Sequence, residues 1–196
     1  MSSVYTIGHS NQSWEAFAAL LREQRIDVVV DIRSAPYSRY APQFDHDLLK
    51  DKLGECGAKY LFLGKELGGR PNDPSHYDKK GHALYGQMKA DRAFEEAIER
   101  LERGMAGFRV VLLCGEEDPA HCHRRLLVGR VLAERGHELL HIRGDGRLQK
   151  EAEVAAESGK PLVEEQPALF AELDEDQWRS TASVSPKKTP ANSSAR

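Results

Sequence analysis

The stretch RVVLLC at residues 109–114 is a short apolar run that lacks the polar alternation of a half-exposed strand. Such a run is typical of a parallel strand that is covered on both faces. Similar runs are VYTI at 4–7, VVVDI at 28–32, YLFL at 60–63 and ELLHI at 138–142. Segments with helical periodicity separate them. We therefore predict an α/β fold, a three-layer sandwich with a small, mainly parallel sheet of about five strands.

The predicted domain organisation follows from where this alternation stops. Residues 1–150 are expected to form the α/β domain. Residues 151–179 hold nine acidic residues against two basic ones, and this acidic segment either docks as a helix or carries a partner motif. Residues 180–196 are small, polar and proline-containing, which predicts a disordered tail.

Composition narrows the class of protein. The formal net charge is −3, and because the acidic segment carries most of the excess negative charge, the predicted domain is nearly neutral. A broad basic surface for duplex DNA is therefore not expected, although a local positive cleft is compatible with this balance. No apolar run is long enough to span a membrane, and three cysteines without disulfide spacing predict reduced thiols. We expect a soluble, cytoplasmic protein without a membrane partner.

The least ordinary side chains follow the predicted strands at their carboxyl ends. Ligands bind at this edge of open α/β sheets because the loops converge there and helix N-termini point the same way. The residues concerned are Gly8, His9 and Ser10 after the first strand, Asp31, Arg33, Ser38 and Arg39 after the second, and Cys114 and Glu116 after the fourth. We therefore predict one functional cleft at this edge.

Five motifs occur in a fixed order along residues 4–145: TIGHS, DIRSAPYSR, YLFLGKELGG, ALYGQM and LLCGEEDPAHCHRRLL. Together they resemble the domain-of-unknown-function 488 family. The resemblance implies an α/β fold and a shared pocket. It implies no settled reaction, so the chemistry has to be inferred from the residues.

The stretch CGEEDPAHCHRR (114–125) excludes two common uses of cysteine. A phosphatase signature needs an arginine separated from Cys122 by five residues, but that position holds Val128. A dithiol redox motif needs two residues between its cysteines, whereas seven separate Cys114 from Cys122. Neither chemistry is predicted from spacing.

Zinc is harder to exclude. Cys114, Cys122 and His123 or His121, together with His9 from the first strand, would supply four suitable ligands. This spacing is not among the standard ones. We therefore predict no cofactor and keep zinc as the alternative.

The preferred interpretation is an anion site. Arg124 and Arg125, at the start of a helix, would face Arg33 and Arg39 across the strand ends and bind phosphate or carboxylate. The helix N-terminus would also lower the pKa of Cys122. In the alternative, Asp31 pairs with Arg33 or Arg39 and merely fixes the loop.

Within this site, Glu116 is the candidate general base and His9 the candidate acid, with Asp31 as the third candidate catalytic residue. Tyr85 would stack on a base or simply pack in the core. The candidate substrate-binding residues are Gly8, Ser10, Arg33, Ser38, Arg39, Tyr85, Cys114, Cys122, His123 and Arg124.

We therefore expect an enzyme, a hydrolase or transferase, that binds a phosphate-bearing nucleotide or nucleic-acid substrate in an arginine-lined cleft. One alternative is a non-catalytic module that binds an anion or a nucleic-acid end. The other is a metal-dependent hydrolase with cysteine and histidine ligands.

The acidic segment contains QPALF at 166–170. Gln166, Leu169 and Phe170 match the Q-x-x-L-F spacing of short peptides that resemble bacterial sliding-clamp ligands. A sliding clamp as partner would link the protein to DNA replication or repair. In the alternative, these apolar residues form a short helix that packs on the domain.

Overall fold

The computed structural model describes residues 2–162 and 178–185. Within them lies one six-stranded sheet with the order β3-β2-β4-β1-β5-β6. Its strands are β1 (Ser3–Gly8), β2 (Val28–Asp31), β3 (Lys59–Phe62), β4 (Val110–Cys114), β5 (Glu138–Ile142) and β6 (Leu148–Lys150). Neighbouring strands are parallel except β5 and β6. The predicted α/β class and mainly parallel sheet are confirmed.

The antiparallel edge strand β6 is not predicted by the apolar periodicity. Its three residues include one buried side chain, the polar Gln149, so no apolar run marks it. A tight turn after β5 brings the chain back, and Gly146 in this turn has a φ of 90°. Glycine adopts that conformation without steric strain.

Helices cover both faces of the sheet. The described residues form α1 (Trp14–Glu23), α2 (His46–Glu55), α3 (Tyr85–Lys89), α4 (Arg92–Met105), α5 (Arg130–Glu134) and α6 (Glu151–Ser158). A π-helical turn, Arg124–Gly129, leads directly into α5. Ser13 caps α1, because its hydroxyl accepts a hydrogen bond from the Ala16 N–H.

The central strand β4 shows why the fold has three layers. Val110 and Leu112 pack in the cluster that contains the buried residues of α3, α4 and α5. Val111 and Leu113 pack in the opposite cluster, with those of α1 and α2. Because successive side chains of a strand point to opposite faces, an uninterrupted apolar run is required where both faces are covered. The predicted sandwich is confirmed.

A buried polar network fixes α6 to the sheet. Thr6 Oγ1 lies 2.8 Å from His141 Nδ1, and His141 Nε2 lies 3.0 Å from a carboxylate oxygen of Glu151. Arg125, which is fully buried, donates to both oxygens of the same carboxylate. Burial would raise the pKa of Glu151, but the hydrogen bonds from His141 and Arg125 outweigh it and lower that pKa. The packed unit therefore continues past residue 150.

Residues 178–185, called the C-terminal strap below, lie against the domain. The Trp178 indole N–H donates to the Leu126 carbonyl, and the Arg130 guanidinium lies over the indole ring. Ser180 accepts at its hydroxyl from the Ala83 N–H and donates its own N–H to the Ala83 carbonyl. The structure thus differs from the predicted disorder at residues 180–185, because serine groups supply backbone hydrogen bonds that composition does not reveal.

Within residues 2–162 and 178–185, no helix is long and apolar enough to cross a membrane. The predicted clamp motif with Gln166, Leu169 and Phe170 lies outside the described residues. So do residues 186–196 of the predicted tail.

Replacing Glu151 by alanine should be strongly destabilising. The change leaves the buried charge of Arg125 without its carboxylate, and we expect the free energy of unfolding in urea to fall by about 3–5 kcal/mol. Glu96→Ala is the matched control, because Glu96 forms an exposed pair with Arg92 and should cost less than about 1 kcal/mol. Equal effects of the two variants would contradict a structural role for the buried pair.

Candidate functional site

Strands β1, β2 and β4 end at the same edge of the sheet, and the loops after them enclose a cleft of about 660 Å³. The predicted site residues that line it are His9, Ser10, Arg33, Ser38, Tyr85, Cys114, Glu116 and His123. Those that do not line it are Gly8, Asp31, Arg39, Cys122 and Arg124. The C-terminal strap adds Ser180, Thr181, Ala182 and Val184 to the wall.

Asp31 and Arg33 form the buried ion pair that the sequence left as an alternative. The Arg33 Nε and Nη2 atoms lie 2.9 and 2.6 Å from the two oxygens of Asp31. The Tyr60 hydroxyl donates to the same carboxylate at 2.8 Å, and Asp31 is fully buried. Asp31 therefore orients Arg33 at the floor of the cleft and does not reach a ligand itself.

His9 is held as a neutral ring. Its Nδ1 lies 2.7 Å from the Ser10 carbonyl and must donate there, so Nε2 accepts from Arg33 Nη1 at 3.0 Å. The ring also stacks on Phe44 at a centroid distance of 4.5 Å. Burial, together with the Arg33 charge, lowers the pKa of His9. This geometry leaves no His9 proton free for a ligand, although the predicted acid role requires one.

Two cysteines and a histidine meet at the cleft wall, which Cys114 and His123 line and Cys122 does not. The sulfur atoms of Cys114 and Cys122 lie 3.7 and 3.9 Å from His123 Nδ1. His123 Nε2 lies 3.0 Å from the Ile32 carbonyl oxygen. Because a carbonyl only accepts, Nε2 carries a proton and the Nδ1 atom faces both sulfurs.

The two thiols differ in their electrostatics. A hydrogen bond from Cys122 lowers the pKa of Cys114 well below its usual value, and the neighbouring His123 acts in the same direction. Burial raises the pKa of Cys122, and the hydrogen bond to Cys114 raises it further. The sequence predicts a lowered pKa for Cys122; the direction is opposite because Cys122 is the buried donor of the pair.

Arg124 is fully buried and binds backbone. Its guanidinium donates to the carbonyl oxygens of Glu116 and Glu117, and it therefore fixes the loop after β4. Gly8 belongs to the same arrangement, since a Cβ at this position would lie 1.7 Å from the Glu116 carbonyl oxygen. Both residues shape the loop that carries Glu116 and do not face the cleft.

The arginine lining is smaller than the sequence predicts. Arg125 pairs with Glu151 behind the sheet edge, and Arg39 is exposed outside the cleft lining. Arg70 also lines the cleft, although no sequence motif predicts it there. Arg70 follows the glycine pair of LGGRP in a long, glycine-rich loop, and long loops of this kind often carry functional residues.

The remaining wall is aromatic and polar. Tyr85 is buried, and this burial together with the nearby thiols raises its pKa. Tyr37 and Tyr40 also line the cleft and are 59% and 91% exposed. Glu116, on the loop after β4, is exposed. The cleft thus combines one accessible carboxylate with aromatic rings that can cover a planar ligand.

Arg124→Lys should destabilise the protein even without a ligand. A lysine cannot bind both carbonyls as a fork, and we expect a loss of about 3 kcal/mol in the free energy of unfolding. Chemical denaturation measures it, with Arg103→Lys on the exposed face of α4 as control. If both lysine variants were as stable as the starting protein and only ligand affinity fell, Arg124 would instead be a binding residue.

Comparison with known protein families confirms the resemblance that the motifs indicate. No curated protein and no solved structure matches it. The family model described as domain of unknown function DUF488 matches residues 13–131, which is more than half of the chain. The chain therefore belongs to the domain of unknown function DUF488 family.

Proposed function

We propose that this protein is an enzyme, a hydrolase or transferase, that acts on a substrate with an anionic, phosphate-type group in the cleft at the strand ends. The observation that carries the proposal is the convergence of reactive groups from separate loops. Arg33, Cys114, Glu116 and His123 all line one cleft. Strand ends of open α/β sheets are where ligands bind, and clefts with a few convergent polar groups are typical of active sites.

Glu116 has the position expected of a general base. It lies two residues after the end of β4, its side chain is exposed to the cleft, and its backbone carbonyl is fixed by Arg124. A base must be held within hydrogen-bond reach of the proton it removes, and a fixed backbone reduces the freedom of the carboxylate. Of the three predicted catalytic residues, Glu116 is the one with these properties.

Arg70 is the main support for an anionic substrate. Arg33 also lines the cleft, but its charge is balanced by Asp31. Arg70 is exposed, and its guanidinium forms no ion pair or hydrogen bond to any of the described residues. A guanidinium that has no partner among residues 2–162 and 178–185 and lies beside the serine hydroxyls of the wall is suited to phosphate oxygens.

The second candidate function is a binding module without chemistry. The exposed Tyr37 and Tyr40 at the cleft favour it, since aromatic rings stack on bases without sequence preference. The two candidates differ in whether the bound ligand is converted.

Phosphate-bearing ligands should raise the unfolding temperature more than their dephosphorylated counterparts. A ligand at 100 times its Kd stabilises by about 2.7 kcal/mol, which a thermal-shift screen detects. Arg70→Gln should weaken the affinity of a phosphate-bearing hit about tenfold, the loss of about 1.4 kcal/mol. Arg103→Gln, outside the cleft, should leave it unchanged. Ligands whose affinity depends neither on the phosphate group nor on Arg70 would rule out an anionic substrate.

Glu116→Gln should abolish turnover and preserve binding. The amide keeps the shape of the side chain but cannot accept the proton, so we expect turnover of the ligand found above to fall by about 10²- to 10⁴-fold. Product formation followed by chromatography measures it, and Glu117→Gln is the neighbouring control. If the unaltered protein binds the ligand for hours without product, the binding module is the correct function.

A further inference from the structure

Cys114, Cys122 and His123 form a compact triad of donor atoms. Their ligand atoms all lie within 4.8 Å of one another. Tetrahedral zinc with bonds of about 2.3 Å to sulfur and 2.0 Å to nitrogen places these atoms about 3.5 Å apart. The observed sulfur–nitrogen distances are 3.7 and 3.9 Å. A shift of a few tenths of an ångström would therefore bring both sulfur–nitrogen distances to those of a tetrahedral site.

The imidazole is oriented as in metal sites. His123 donates Nε2–H to the Ile32 carbonyl, and metal-bound histidines commonly donate their other ring N–H to such an acceptor. Gly69 packs beside the ring, where a Cβ would lie 2.7 Å from His123 Cγ and 2.9 Å from its Nδ1. A side chain at position 69 would therefore displace the imidazole from its place beside the sulfurs.

Hydrogen bonds can link the triad in series, from Cys122 to Cys114 and between Cys114 and His123 Nδ1. The two sulfurs also lie at similar distances from the same nitrogen, 3.7 and 3.9 Å, which is the arrangement that a shared ion requires. An ion between the three atoms binds both sulfurs and the nitrogen at once. Two thiolates and an imidazole are a donor set that favours zinc over calcium, magnesium or manganese.

We infer that Cys114, Cys122 and His123 bind a zinc ion whose fourth coordination position opens into the cleft. Cys114 and His123 line the cleft whereas Cys122 does not, so the free side of the triad faces the substrate space. His9, the fourth ligand of the sequence alternative, lies outside the triad and is engaged by Arg33. Three protein ligands with an open position are typical of catalytic zinc.

The zinc site itself is independent of the proposed function, but its catalytic role rests on that function. An ion at this position would polarise a bound water or a substrate oxygen beside Glu116. It would also explain why the two cysteines are buried together behind a polar cleft. The substrate class then narrows to compounds that water or another nucleophile attacks at an electrophilic centre.

The test is metal binding by the full chain. Protein stripped with a chelator under reducing conditions is titrated with Co²⁺, whose spectrum reports tetrahedral thiolate coordination through intense visible bands and a sulfur-to-metal band in the near ultraviolet. We expect one ion per chain and its displacement by Zn²⁺. A stripped protein that develops no such bands and takes up no zinc would falsify the inference.

Variants locate the site. Cys114→Ser, Cys122→Ser and His123→Gln should each weaken zinc affinity by more than the roughly 10- to 100-fold that loss of an outer partner costs. Cys56→Ser is the matched control, because Cys56 is exposed and outside the triad. Circular dichroism of each stripped variant separates loss of a ligand from loss of the fold. Retained binding in folded Cys122→Ser overturns the assignment.

The two proposals can fail independently. Stoichiometric zinc in a protein that converts no ligand leaves the metal centre in place and removes the enzymatic function. Conversion of a ligand by protein stripped of metal, with Co²⁺ not bound, removes the metal centre and keeps the enzyme.

Discussion

The buried guanidinium of Arg124 holds the carbonyl oxygens of Glu116 and Glu117, and the geometry of the candidate site depends on this contact. The Gly115 carbonyl accepts a hydrogen bond from the Ser10 N–H of the chain after β1, and the arginine holds the next two carbonyls of the loop. Close passage over β1 is allowed because Gly8 has no side chain. A buried charge that is satisfied by backbone carbonyls in this way is costly to disturb.

The π-helical turn of residues 124–129 supplies the arginine that makes this contact. The turn begins at Arg124, directly after His123, and passes into α5. Short π-helical turns inside helices frequently occur at functional sites, where they redirect a side chain. Here the chain leaves Cys122 and His123 on the side of the β4 terminus and buries Arg124 and Arg125 in two different hydrogen-bond networks. Adjacent residues therefore serve separate parts of the molecule.

Most charged groups near the strand ends are already paired within the protein. Asp31 forms an ion pair with Arg33, and Glu151 forms one with Arg125. Such buried pairs add little net stability compared with apolar packing, but they fix directions, because each charge is costly to leave alone. The cleft consequently presents few free charges, and Arg70 and Glu116 acquire more weight in recognition and chemistry than a count of arginines in the sequence suggests.

The sequence by itself determined the five parallel strands of the sheet and the edge at which the site lies. Apolar runs such as RVVLLC specify buried parallel strands, and residues that follow those strands must meet at one edge, because both properties come from local periodicity and chain direction. Only the tertiary structure decided which side chains face the cleft. The partners of Arg124, the meeting of Cys114 with Cys122, and the docking of residues 178–185 depend on hydrogen bonds between distant segments. A buried polar group must find such a partner, but the sequence does not say where that partner lies.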